Sequence, residues 1–131
     1  MSIKQYLILV IDDNPTNIDV LFDLLKDYGF KVLVAKDGET GLKRAKMVSP
    51  ALILLDVLMP KIDGFETCRR LKACEETQDI PVIFMTALAE SVDKVRGLSL
   101  GAVDYITKPL QHQVVLARII VHLKSKHLTE E

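Results

Sequence analysis

Five short apolar-rich runs punctuate the chain: Tyr6 to Ile11, Phe30 to Ala35, Ala51 to Leu55, Val82 to Met85 and Val103 to Ile106. Runs this short suit strands. The unbroken run Ala51-Leu52-Ile53-Leu54-Leu55 suits a strand buried on both faces of a parallel sheet. Between the runs the apolar positions fall at helical spacing. Ile18, Leu21, Phe22 and Leu25 make one apolar face, and Leu42, Ala45 and Val48 a second. Phe65, Cys68 and Leu71 make a third. A fourth helix is expected from about Glu90 to Leu100. A fifth spans Gln111 to His127, with Leu116, Ile119, Ile120 and Leu123 facing inward.

The punctuation supports this division. Asn14 can cap the first helix, with Pro15 in its first turn, where a missing N–H costs nothing. Gly29 closes that helix. Asp37-Gly38 opens the second, Ser49-Pro50 stops it, and Asp63-Gly64 opens the third. Thr77 to Pro81 reads as a loop, and Gly101 ends the fourth helix. Strict alternation of strand and helix with short loops implies a parallel sheet covered by helices on both faces.

Composition narrows the picture further. A chain of 131 residues fits one domain with a full-sized core. Hydrophobic content is 49%, yet no stretch approaches the ~20 apolar residues of a membrane span. The start, Met1 to Tyr6, carries no signal-peptide pattern. Net charge is -1 with acids and bases intermixed, so neither a nucleic-acid nor a membrane footprint is present. Cys68 and Cys74 point to different helix faces and cannot easily bridge. They read as thiols in a reducing, cytoplasmic setting.

The chemistry lies in the residues at the carboxyl end of each strand. A lone acid there most simply caps a strand or helix. Here the first strand delivers Asp12 and Asp13, the third Asp56, the fourth Thr86 and the fifth Lys108. In a parallel sheet all strand carboxyl ends share one edge, where such folds build their sites. Three carboxylates repel unless something positive joins them. Lys108 supplies one charge, and a hard dication such as Mg2+ fits as the rest. A carboxylate beside magnesium, an ammonium and a hydroxyl is a phosphoryl-transfer constellation, in which the acid attacks phosphorus.

Taken together, Val10-Ile11-Asp12-Asp13-Asn14, Leu54-Leu55-Asp56-Val57-Leu58-Met59-Pro60 with Asp63-Gly64, Met85-Thr86-Ala87, Gly101-Ala102-Val103-Asp104-Tyr105 and Thr107-Lys108-Pro109 resemble a response-regulator receiver domain over essentially the whole chain. The resemblance implies a flavodoxin-like, doubly wound five-stranded sheet of order 2-1-3-4-5 with five helices. It implies that Asp56 is the phosphoacceptor. Asp13 and Asp56 would bind Mg2+ directly, with the backbone carbonyl of Leu58, and Asp12 largely through water. Thr86 would be the switch hydroxyl, Lys108 the phosphate-binding lysine and Tyr105 the aromatic that swings inward. The Lys108–Pro109 bond would be cis. The donor would be a phosphohistidine on a sensor histidine kinase or histidine phosphotransfer domain. The isolated receiver would not be an enzyme in its own right, although its parent chain could be a hybrid kinase. A phosphorylation-dependent homodimer and an unidentified downstream target complete the expected partners.

Other readings fare worse. A haloacid-dehalogenase-type phosphatase resembles D-x-D, but the position two beyond Asp56 is Leu58, which carries no proton. A degenerate receiver would lack an acid or the lysine, and none is missing. His112, His122 and His127 match no metal-ligand spacing and read as surface or boundary residues. Met59 and Met85 read as core packing. Without its Thr86 and Lys108 partners Tyr105 would pass as an ordinary half-buried tyrosine. The single domain is expected over residues 1–131, with residues 111–131 forming a last helix suited to serve as a linker.

Overall fold

The computed structural model describes residues 5–87 and 91–130, without the side chains of residues 91–93 and 127–130. The expected helix start at Glu90, the residue Leu88, and the placement of the His127 and Leu128 side chains lie outside the described residues. The elements alternate as β1 (Leu7–Ile11), α1 (Pro15–Tyr28), β2 (Lys31–Ala35), α2 (Gly38–Val48), β3 (Leu52–Asp56), α3 (Gly64–Ala73), β4 (Val82–Thr86), α4 (Ser91–Ser99), β5 (Asp104–Thr107) and α5 (His112–Glu130). The strands form one sheet in the order β2-β1-β3-β4-β5. All its pairings are parallel, as the flavodoxin-like expectation requires.

The apolar runs explain why the sheet is central. Successive side chains of a strand point to opposite faces. Leu9, Ile11, Ile53, Leu55, Val82 and Phe84 meet residues of α2 and α3 on one face. Ile8, Val10, Leu52, Leu54, Ile83 and Met85 meet α1 and α5 on the other. Both faces are covered, so β1, β3 and β4 show no polar alternation. Met85 is fully buried and Met59 packs partly buried against the core, as expected of gap-filling methionines. Among the described residues no helix is long and apolar enough to cross a membrane.

The caps behave as read. Asn14 accepts the N–H groups of Thr16 and Asn17, and Gly29 takes a left-handed conformation at φ 110. Asp37 and Asp63 cap α2 and α3 through the N–H groups of Thr40 and Glu66. Both cysteines are free thiols. The Lys108–Pro109 peptide is cis.

Several expectations need correction. Phe22 does not join the inner face of α1: it is 38% exposed, with the Lys26 ammonium 5.8 Å over its ring. The buried stripe of Ile18, Leu21 and Leu25 is narrow, and at about 100° per residue Phe22 lies about 40° beyond its Ile18 edge. Val48, at the last turn of α2, is likewise exposed. On α5 the fully inward positions are Val115, Ile119 and Leu123, while Leu116 and Ile120 are only half-buried. Boundaries move slightly. Phe30 belongs to the helix cap, since its N–H donates to the Leu25 carbonyl. β5 runs one residue later than read, and α5 continues three residues past His127 to Glu130.

Candidate functional site

The carboxyl ends of the strands build the site. Asp12 follows β1, and its N–H donates to the Ala35 carbonyl at the end of β2. Asp56 ends β3, paired in register with Met85 of β4. Beyond Asp56, the Val57 N–H donates to the Met85 carbonyl, and the Lys108 N–H donates to the Thr86 carbonyl. Neighbouring strand ends are thus stitched together by backbone bonds, which fixes where their side chains emerge.

The three acids converge. One carboxylate oxygen from each of Asp12, Asp13 and Asp56 lies within 4.8 Å of the others. Asp12 and Asp56 are buried, at 0% and 4% exposure, whereas Asp13 is exposed at the mouth. Lys108 reaches in from the end of β5. Its Nζ donates to Asp56 Oδ1 at 2.9 Å and stands 3.9 Å from Asp12 Oδ2. Burial pushes the Asp56 carboxyl up to about 6, the Lys108 hydrogen bond opposes that rise, and the charges of Asp12 and Asp13 add to it. A single ammonium therefore does not neutralise the cluster. A donor set of carboxylate oxygens only, at this separation, fits a hard dication such as Mg2+.

Thr86 closes β4 at the same edge and is buried. Tyr105 is half-buried on β5. Both line a pocket between α4 and the sheet, walled by Phe84, Gly97 and Lys94. The Lys94 ammonium sits 4.8 Å over the Tyr105 ring, a cation–π contact. Leu58 follows in the loop after β3, with its side chain 60% exposed. All the residues expected at the site thus sit at or beside this edge: the three acids converge on one another, and Lys108 bonds Asp56 and stands close to Asp12.

Three features were not read from the sequence. The first turn of α1 grips Asp12: the Asn14 N–H donates to Oδ1 at 2.9 Å, and the Asn17 side-chain amide donates to Oδ2 at 3.3 Å. Lys94 on α4 faces Tyr105. Asp104, beside Tyr105, holds α5 to β5. Arg118 Nη1 bonds both of its oxygens at 2.9 Å, and His122 Nε2 lies 2.9 Å from Oδ2. Arg118 and His122 are four apart on one helix, a spacing that places both side chains on one face. That spacing was the available signal. His122 is therefore a boundary residue with a carboxylate partner, and among the described residues it belongs to no group of three metal-ligating side chains.

Comparison with known proteins agrees with the geometry. The family model "Response regulator receiver domain" matches residues 8–120. The chain is 45% identical over 112 residues, 86% of its length, to the DNA-binding dual master transcriptional regulator RpaA of Synechocystis, covering 46% of that protein. It is 39% identical over 112 residues to protein PilH of Pseudomonas aeruginosa, covering 86% of this chain and 93% of that one. Among solved structures, the signal receiver domain of a signal transduction histidine kinase from Syntrophus aciditrophicus is similar. It matches with TM-score 0.80 and 38% identity over 92% of this chain and 90% of that one. The chain spans about half the length of several curated relatives it matches, 46% of one and 50% of another. With its parallel sheet, its acid cluster and a family match across most of its length, this chain belongs to the response regulator receiver domain family of two-component signalling.

Proposed function

We propose that this receiver takes a phosphoryl group from a phosphohistidine onto Asp56 and switches the surface formed by α4, β5 and α5. The observation that carries the reading is the buried Asp56 carboxylate, held by Lys108 at 2.9 Å beside two further acids. Asp13 and Asp56 would hold Mg2+, with the Leu58 backbone carbonyl, and Asp12 through water. Bound there, the cation supplies charge neutralisation for the incoming phosphoryl oxygens. Asp56 attacks phosphorus, and the phosphohistidine imidazole leaves with the electrons of the broken P–N bond. Lys108 keeps its ammonium at the developing charge. Thr86 turns its hydroxyl toward the new oxygens, and Tyr105 moves into the space this vacates beside Phe84. The domain does no further chemistry on a substrate, so as an isolated unit it is a switch and not an enzyme. Its partners would be a sensor histidine kinase or phosphotransfer protein, and a downstream target or attached output domain.

Beryllofluoride, which mimics an aspartyl phosphate, tests the switch. In the presence of Mg2+ it should shift amide NMR signals at Asp56 and also around Tyr105 and α4. Shifts confined to the loops bearing the acids would contradict the proposed remodelling.

Phosphate lifetime gives a second test. By family resemblance, Leu58 and Leu88 border the line of water attack, and Leu88 lies outside the described residues. Neither side chain can hydrogen-bond a water into place. Leu58 is exposed, so its replacement disturbs little packing. The paired change Leu58→Asn with Leu88→Glu should speed phosphate loss roughly tenfold, or about 1.4 kcal/mol of barrier. Decay of labelled protein after donor removal measures it, and an unchanged rate would show that these leucines do not set the lifetime.

A further inference from the structure

We infer that Asn17 is a positioning residue for the cation site, holding Asp12 in the orientation that serves Mg2+ and away from Lys108. The inference rests on the reading of Asp12, Asp13 and Asp56 as that site. Asp12 is wholly buried, yet each of its oxygens has a defined partner. Oδ1 accepts the Asn14 N–H, and Oδ2 accepts the Asn17 amide. Both donors come from the entry to α1, whose geometry is itself fixed by Asn14 capping the N–H groups of Thr16 and Asn17. Two donors on one rigid turn define the plane of the carboxylate.

The competing partner is Lys108, whose Nζ stands 3.9 Å from Asp12 Oδ2, just beyond hydrogen-bond reach, while it bonds Asp56 at 2.9 Å. Without the Asn17 amide, Oδ2 loses its only neutral donor among the described contacts. A small rotation then brings it to Lys108. That would turn Asp12 from the cation site and draw the ammonium from Asp56. Mg2+ demands near-ideal octahedral geometry, whereas Ca2+ tolerates irregular coordination. The loss should therefore fall more heavily on Mg2+ than on Ca2+.

The experiment is titration of the whole chain with Mg2+ and, separately, Ca2+, followed by amide NMR shifts at Asp13 and Asp56. Asn17→Leu, of similar size but without a donor, should weaken Mg2+ binding on the order of tenfold and Ca2+ binding by less. Asn17→Gln, which restores an amide, should recover most of the Mg2+ affinity. Thermal unfolding in chelator reports fold integrity separately. If Asn17→Leu lowers Tm but leaves both affinities at wild-type values, Asn17 is structural and the inference is overturned. Equal losses for Mg2+ and Ca2+, or no recovery with Gln, would also overturn it. A wild-type chain that shows no saturable Mg2+ shift would overturn the cation site itself, and the inference with it.

Discussion

Gly64→Ala is expected to destabilise the protein by about 3 kcal/mol or more, although it adds a single methyl group. A Cβ at this position would lie 2.2 Å from the Asp56 carbonyl oxygen and 2.7 Å from the Val57 Cα. Both are backbone atoms, so no rotamer change relieves the clash. The Gly64 N–H also donates to the Val57 carbonyl at 2.7 Å. The start of α3 is thus pressed against the chain as it leaves β3, and any retreat breaks that bond and displaces the backbone of Asp56. Denaturant unfolding of wild type and variant measures the cost. A variant within about 1 kcal/mol of wild type would show that the loop yields without loss, against the ordinary behaviour of overpacked interiors.

Asp56→Asn should have the opposite effect in chelator near neutral pH, making the protein more stable. Burial raises the Asp56 carboxyl from 3.8 to about 6, so its ionised form opposes folding. The sign comes from linkage. The folded state binds the proton more tightly than the unfolded chain. Stability is therefore fullest below the unfolded value of 3.8, falls as pH rises toward about 6, and stays reduced above it. The span between those values bounds the effect at about 3 kcal/mol. Asn has no such titration, so the gap between the two proteins should open across that same pH range. Added Mg2+ should narrow the gap, because it binds folded wild type in preference. Equal stability at every pH would mean that the Asp56 charge is fully compensated by Lys108 alone.

Legibility in the sequence tracks the strength of the local signal. The sheet edge was readable because the residue types after each strand are few and distinctive, and a parallel sheet leaves them no other place to go. Asp12, Asp13, Asp56 and Lys108 meet there as that logic demands. Caps were readable because Asn14, Asp37 and Asp63 act on backbone groups two or three positions away. Phe22, Leu116 and Ile120 are less buried than the pattern implies, and Val115, which it does not single out, is fully buried, because hydrophobicity alone does not fix the width of a helix's buried stripe. Side-chain pairings across elements were missed for another reason. Nothing local to Asn17 says that its amide meets Asp12, and nothing local to Lys94 says that it covers Tyr105. Those contacts exist only once the helices have docked.

The most direct test of the account is covalent. Wild type, Asp56→Asn and wild type in chelator should each be incubated with acetyl phosphate and Mg2+, the cation being sequestered in the third, and their intact masses recorded. The account predicts one added phosphoryl group on wild type and none on the other two. Equal labelling of wild type and Asp56→Asn would contradict it.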